Sequence, residues 1–175
     1  MKAVRVQSDK EIPDKIRVSD TPKGKGLFAN IELSKGTVIT AVRGEHVRFE
    51  DTTELNGTES YCVQITLKDY VKPDPPFYYA NHSCNPNCGL NEKLELVTIR
   101  VVPRDEELVW DYSTSMLERH WVMKCECGDA NCRGIVNDFD LLPDDVRTNY
   151  IKMGIVLPYI VEYLSNAAKE NGQSP

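Results

Sequence analysis

Residues 81–87 read Asn-His-Ser-Cys-Asn-Pro-Asn and combine amide, imidazole, hydroxyl and thiol groups within seven positions. Such groups must be hydrogen-bonded wherever they are buried, so this stretch is a poor candidate for a simple core strand. The Asn-Pro step at the end of the polar run favours a turn. The stretch therefore predicts a turn that carries function.

A second cluster lies further along the chain, where residues 125–134 read Cys-Glu-Cys-Gly-Asp-Ala-Asn-Cys-Arg-Gly. Three thiolates at this spacing can reach one tetrahedral zinc ion, and a metal site explains the cysteines better than disulfides do. Three ligands leave one position for water or for a fourth cysteine. Cys84 and Cys88 are the nearby candidates.

Two further stretches carry weaker signals. Residues 23–28 read Lys-Gly-Lys-Gly-Leu-Phe, and glycines allow a backbone to approach a ligand closely, although a lone Gly-x-Gly is more often a plain turn. Residues 106–112 read Glu-Glu-Leu-Val-Trp-Asp-Tyr and predict a short strand that ends in Asp-Tyr.

Composition narrows the possible classes of protein. The chain has 175 residues, of which 41% are hydrophobic and 27% charged, with a net charge of -6. That charge argues against broad nucleic-acid binding, which needs a basic face, and suits a basic protein partner. Residues 1–14 are charged from the start and no apolar run could span a membrane, so we expect an intracellular protein with no secretory signal.

The order of patterns predicts a mostly β domain followed by helices. We expect strands over 15–19, 37–42, 61–67, 94–102 and 107–110, a glycine turn at 24–26, and a proline-rich loop over 72–76. A helix is expected to start near Pro143, to be interrupted at Gly154 and to be followed by a second amphipathic stripe, with a frayed tail over 170–175. A structural role suits this appendage best, and a partner-binding surface is the alternative.

Taken in order, the four stretches resemble the SET-domain family of protein lysine methyltransferases, in particular small stand-alone SET proteins. The resemblance covers roughly residues 14–136 and includes the family's zinc-binding post-SET segment. It implies a fold of several small sheets with a pseudoknot, and a division into a SET domain (14–123), a post-SET segment (124–136) and a C-terminal helical extension (137–175).

The resemblance also implies roles for individual residues. Tyr112 is expected to be the catalytic tyrosine, and Trp110 and Val42 to line the lysine channel. The expected zinc ligands are Cys84, Cys125, Cys127 and Cys132. The residues expected to bind S-adenosylmethionine (SAM) are Lys23, Gly24, Lys25, Gly26, Leu27, Tyr61, Asn81 and His82. The implied substrate is a basic protein such as a histone, in the nucleus of a eukaryote or the cytoplasm of a bacterium.

The sequence departs from the family pattern at three places. Tyr79-Ala80 stands where many relatives have Arg-Phe, Val42 stands where many have a second tyrosine, and Trp110 stands where Phe or Tyr is common. Two alternatives to an active enzyme therefore remain open: an inactive SET module that binds lysine-rich tails or acts as a scaffold, and a zinc-stabilised interaction domain.

Overall fold

A computed structural model describes residues 12–52 and 61–170. The interpretations of the charged N-terminus and of the tail beyond Glu170 concern residues largely outside these ranges. Twelve strands, three α-helices and three single-turn 3-10 helices are described. The strands are β1 (Ile16–Thr21), β2 (Gly24–Ala29), β3 (Val38–Ala41), β4 (Gly44–Arg48), β5 (Val63–Gln64), β6 (Asp69–Pro73), β7 (Asn81–His82), β8 (Cys88–Leu90), β9 (Glu95–Thr98), β10 (Glu107–Trp110), β11 (Met123–Lys124) and β12 (Ile135–Val136), and the helices are α1 (Phe49–Thr52), α2 (Asp144–Met153) and α3 (Pro158–Glu170).

The strands form four small sheets, as the mostly β prediction requires. Their orders are β1-β2-β10-β7, β3-β9-β8, β4-β6-β5 and β11-β12. In the first sheet, β10 lies between β2 and β7 and runs parallel to β7, with Val109 opposite Asn81. The motif at residues 81–87 is thereby placed beside the strand that ends in Asp-Tyr. The predicted fold class, mostly β with several small sheets, is confirmed.

Alternation explains why these short strands share one core. In β9 and β10, inward Leu and Thr or Trp side chains alternate with partly exposed neighbours, so one face of each strand is buried. The inward residues join a cluster that includes Leu27, Leu96 and Leu108, each with no exposed side-chain surface. This cluster carries the strands that hold the polar motifs.

Several predicted boundaries were wrong in detail. The glycines at 24–26 lie within β2 rather than in a turn, because Gly24 pairs with Thr21 across a tight hairpin. The strand expected over 61–67 is limited to Val63–Gln64, and the one over 94–102 to Glu95–Thr98. Pro73 ends β6, so the proline-rich loop starts two residues later than expected. Each error lies at an element's end, where tertiary hydrogen bonding outweighs local pattern.

The C-terminal helices begin and end near the predicted residues. Gly154 adopts a left-handed conformation (φ 70°) that ends α2, and its N–H bonds back to the carbonyls of Tyr150 and Ile151. The following residue, Ile155, packs against β8 at Gly89, where an added Cβ would lie 2.5 Å from the Ile155 Cβ. The predicted helical appendage is confirmed. Among the described helices, none has the length and apolar character that crossing a bilayer requires.

Candidate active site and metal centre

A cavity of about 720 Å³ opens where β7 and β10 end. This volume lies within the range of roughly 300–1,000 Å³ that small-molecule sites occupy. Its wall contains eight aromatic rings together with polar and charged groups such as Lys23, Gln64, Asn81, Glu118 and Glu126. The rings belong to Phe49, Tyr61, Tyr70, Phe77, Tyr78, Trp110, Tyr112 and Trp121.

Tyr112 and Trp110 share one acceptor in this cavity. The Tyr112 hydroxyl donates to the carbonyl oxygen of Ala80 over 2.9 Å, and the Trp110 indole N–H donates to the same oxygen over 3.2 Å. The two rings lie 4.9 Å apart between centroids, and Trp110 lies 5.6 Å from Phe77. The Ala80 carbonyl therefore orients both the Tyr112 hydroxyl and the Trp110 indole N–H.

Burial sets the protonation state of Tyr112. It raises the pKa of the phenol well above 10, and the nearby Tyr61 and Glu107 add to this shift. The phenol therefore remains a neutral hydrogen-bond donor at physiological pH.

The Asn81 side chain, at the edge of the first sheet, contacts both β10 and the next strand, β2. Its amide nitrogen donates to the backbone oxygen of Lys25 over 3.0 Å and to Glu107 Oε1 over 2.7 Å. Gly26 makes this approach possible, because a Cβ there would lie 2.4 Å from Glu107 Oε1 and 3.1 Å from the Asn81 amide nitrogen. Gly26 therefore leaves the space that the Asn81 side chain occupies.

His82 is buried and neutral. Burial lowers its pKa to about 4, and Arg133 and Lys23 favour the neutral form while Asp111 opposes it. Its Nδ1 lies 3.3 Å from the N–H of Tyr112 and accepts from it, so Nε2 carries the proton. That Nε2 lies 3.4 Å from Cys84 Sγ, and the ring therefore bridges the Tyr112 backbone to a thiol.

Four thiols converge beside this histidine. The Sγ atoms of Cys84, Cys125, Cys127 and Cys132 all lie within 4.8 Å of one another, and those of Cys84 and Cys125 are 3.6 Å apart. Four sulfurs bound to one tetrahedral zinc ion at about 2.3 Å lie about 3.8 Å from each other, so this cluster has the dimensions of a zinc site. Cys88 lies in β8 and is not part of it.

The surroundings of the thiols act on the thiolate form in opposite directions, because backbone N–H groups favour it and burial disfavours it. The N–H groups of Arg133 and Gly134 lie 3.4 Å from Cys84 Sγ and Cys132 Sγ respectively. Burial raises the pKa of the Cys84 and Cys125 thiols, so losing their protons requires a compensating positive charge. A divalent cation supplies that charge, and these donors fit zinc.

Asp129 and Asp111 join the cysteine-rich segment to the rest of the site. Asp129 accepts from the Ser83 hydroxyl over 2.9 Å and from the Asn85 amide over 3.0 Å. Asp111, fully buried, pairs with the Arg133 guanidinium at 2.8 Å. The two most distinctive motifs of the sequence thus form one hydrogen-bonded unit.

The structure brings most of the predicted site residues to one place, but not all of them. Residues of all four predicted groups line the cavity or the adjoining thiol cluster: Lys23, Tyr61, Asn81, His82, Trp110, Tyr112, Cys84, Cys125, Cys127 and Cys132. Five predicted residues lie in neither the cavity wall nor the thiol cluster: Gly24, Lys25, Gly26, Leu27 and Val42. Leu27 and Val42 are instead part of the main hydrophobic core.

Sequence reasoning missed several residues of the cavity wall, among them Gln64 and Glu118. Gln64 is 2% exposed; its amide oxygen accepts from the N–H of Leu117 over 2.8 Å, and its amide nitrogen has no hydrogen-bond partner among the described residues. Glu118 accepts from the Tyr70 hydroxyl and from the N–H of Trp121. No motif marks these residues, because strands distant in sequence bring them together.

Comparison with known proteins agrees with this geometry. A family model described as SET domain matches residues 24–113, just over half of the chain. The histone-lysine N-methyltransferase ash1 of Drosophila melanogaster is 26% identical over 148 residues, which are 75% of this chain and 7% of that protein. An H3 lysine-4 specific histone-lysine N-methyltransferase of Emericella nidulans is 32% identical over 64% of this chain and 11% of its own length.

A third relative, histone-lysine N-methyltransferase 2D of Homo sapiens, is 30% identical over 66% of this chain and 2% of its own length. The chain therefore spans about a tenth or less of these relatives. The match nevertheless includes the Asn81–Asn87 stretch, Trp110 and Tyr112, which meet at the cavity. This chain belongs to the SET-domain family.

Proposed function

We propose that this protein is a SAM-dependent protein-lysine N-methyltransferase that acts on lysine in a basic protein such as a histone. The observation that carries the proposal is the meeting of Tyr112, Asn81 and His82 at one aromatic cavity, in a chain whose relatives are named histone-lysine methyltransferases. We further propose that residues 14–123, 124–136 and 137–175 act as the SET domain, the zinc-binding segment and a helical extension.

Lys23, Asn81 and His82 are the polar residues proposed to bind SAM. When bound, SAM supplies a methyl group on a positively charged sulfur. The Lys23 ammonium suits the carboxylate of such a ligand, and Trp121 offers a flat surface for its adenine ring. The backbone of Gly24–Leu27 acts indirectly in this proposal, because it fixes the Asn81 amide through the Lys25 carbonyl.

The aromatic wall is proposed to select the neutral form of the substrate amine. Lysine has a pKa of about 10.4 in water, so only about one amine in a thousand is nucleophilic near pH 7.4. A largely apolar channel disfavours the ammonium and releases the proton to water. The Tyr112 phenol oxygen, held in place by the Ala80 carbonyl, then aligns the amine for an in-line displacement, in which positioning provides most of the rate enhancement.

Zinc is proposed to be held by Cys84, Cys125, Cys127 and Cys132. Its contribution is structural, because four thiolates complete a tetrahedral site and leave no position for water. Cys84 belongs to the Asn81–Asn87 motif and the other three ligands to the 125–134 run. The ion would therefore hold these two segments together.

The test is methyl transfer from labelled SAM to purified histones, with a histone whose lysines have been chemically blocked as the substrate control. We expect label on the unblocked histone alone, with Tyr112→Phe as the matched enzyme control. A zinc-loaded protein that binds SAM and lysine-rich peptides but transfers no label would contradict the proposal and favour a binding module.

A further inference from the structure

The turn that carries Tyr112 is held from behind by the C-terminal helices. This turn spans Tyr112–Ser115 and follows β10 directly. The N–H of Leu157 donates to the Thr114 carbonyl over 3.2 Å, and the Tyr159 hydroxyl donates to the Ser115 carbonyl over 2.9 Å. Two consecutive carbonyls of the turn are thus bound by the segment that begins α3.

Helix α2 provides a third contact, one residue before Tyr112. The Tyr150 hydroxyl donates to Asp111 Oδ2 over 3.1 Å. The opposite carboxylate oxygen, Oδ1, accepts from the N–H of Ser113 and from Arg133 Nη2 over 3.1 and 2.9 Å. A buried carboxylate needs such partners, and Asp111 therefore joins α2, the cysteine-rich segment and the catalytic turn.

Apolar packing holds these helices against the SET domain. Ile155 and Leu157 are each 1% exposed, and Leu157 belongs to the main hydrophobic core. Ile155 lies against Gly89 of β8, closely enough that any side chain at position 89 would collide with it. Because this packing holds the helices in place against β8, their hydrogen bonds also hold the turn in place.

We infer that α2 and α3 form a clamp on the catalytic turn and that Tyr150 is a positioning residue for Tyr112. The expected effect on catalysis rests on the proposed function, whereas the contacts of the clamp do not. The Tyr112 phenol must meet the reacting atoms within a fraction of an ångström, and small displacements lower rates steeply. The clamp restrains the backbone behind Tyr112, while Ala80 restrains its hydroxyl.

The experiment compares Tyr150→Phe and Tyr159→Phe with Tyr163→Phe, the same chemical change at a tyrosine of α3 that is 46% exposed. Losing a hydrogen bond to a buried carboxylate should lower kcat of Tyr150→Phe about tenfold, with KM and the Kd for SAM changed less than about twofold. Tyr159→Phe should show a smaller decrease, and Tyr163→Phe none. Zinc content is measured for each variant and should be unchanged.

Hydrogen–deuterium exchange gives a readout that does not depend on activity. The N–H groups of Thr114 and Leu157 form hydrogen bonds within and onto the turn, so their exchange should be faster in Tyr150→Phe and Tyr159→Phe than in Tyr163→Phe. Unchanged exchange in the first two variants would overturn the clamp, as would an equal loss of kcat in all three. A wild-type protein without methyl transfer would refute the proposed function alone, and exchange would still decide on the clamp.

Discussion

The main core and the cysteine-rich segment are stabilised in different ways. Seventeen buried hydrophobic residues, among them Leu27, Leu96 and Trp110, form the core of the sheets. The cluster around the cysteine-rich segment has four buried residues, and two of them, Cys84 and Cys125, are proposed zinc ligands. Small units with little apolar surface usually need a metal or a disulfide.

This difference separates two kinds of substitution. The core stabilises β7 and β10, at whose ends the cavity opens, without any ligand. Removing one hydroxyl on this side of the cavity should therefore lower the rate of methyl transfer and leave folding intact. The cysteine-rich segment has no comparable core, and removing a ligand there should disturb folding and chemistry together. Four predictions test that separation.

The largest effect is expected for Cys127→Ser. Loss of one of four thiolates should lower zinc affinity by more than about a hundredfold, since even outer contacts of metal ligands contribute ten- to a hundredfold. The segment between Trp121 and Val136 should lose its order, and methyl transfer should fall below detection. Elemental analysis, thermal unfolding and methyl transfer measure the three consequences.

Cys88→Ala is the matched control, because Cys88 is buried in β8 outside the thiol cluster. It should retain one zinc ion per chain. A Cys127→Ser protein that keeps full zinc content would show that these four cysteines are not the ligands.

A smaller but more selective effect is expected for Tyr112→Phe. Trp110 still donates to the Ala80 carbonyl in this variant, so no buried acceptor is left unpaired and stability should change by less than about 1 kcal/mol. Without the hydroxyl, kcat should fall roughly tenfold to a thousandfold, or about 1.4 to 4 kcal/mol. Steady-state kinetics and thermal unfolding of the same sample separate the two effects. Near-normal turnover would mean that another tyrosine is catalytic.

Asn81→Ala should weaken SAM binding about tenfold, which corresponds to about 1.4 kcal/mol. The change removes the amide that links the Lys25 carbonyl to Glu107 at the cavity's edge. The stabilisation that saturating SAM gives to the folded protein should shrink accordingly in thermal unfolding. Asn166→Ala on the exposed side of α3 is the control. If SAM raised the melting temperature equally in both variants, Asn81 would not belong to the proposed binding site.

The smallest change in rate is expected for Trp110→Phe. The ring lies 4.9 Å from Tyr112, so a smaller side chain widens the proposed lysine channel. The first methyl transfer should change less than about threefold, while the share of higher-methylated product should rise, because added methyl groups need space. Mass spectrometry of the product lysine measures the distribution. An unchanged distribution would show that Trp110 does not limit methyl number.

The sequence by itself determined the fold class and the main chemical groups. The informative patterns are local: the polar 81–87 stretch, the Cys125–Cys132 spacing and the strand ending in Asp-Tyr. A local pattern can be read from the sequence without knowing how the chain folds. The start of α2 after Pro143 and its end at Gly154 were also readable, since proline and glycine restrict or extend the backbone by themselves. The short apolar stretch before Asp-Tyr likewise predicted β10 over Glu107–Trp110.

Only the tertiary structure decided which of these groups meet. It placed Gln64 and Glu118 in the cavity wall and left Val42 in the core, because the side a residue faces depends on how its sheet pairs with others. It also brought Tyr150, Tyr159 and Leu157 behind the turn that carries Tyr112, 35 or more positions away along the chain. Such contacts depend on packing between distant elements, and no local spacing of residues encodes them.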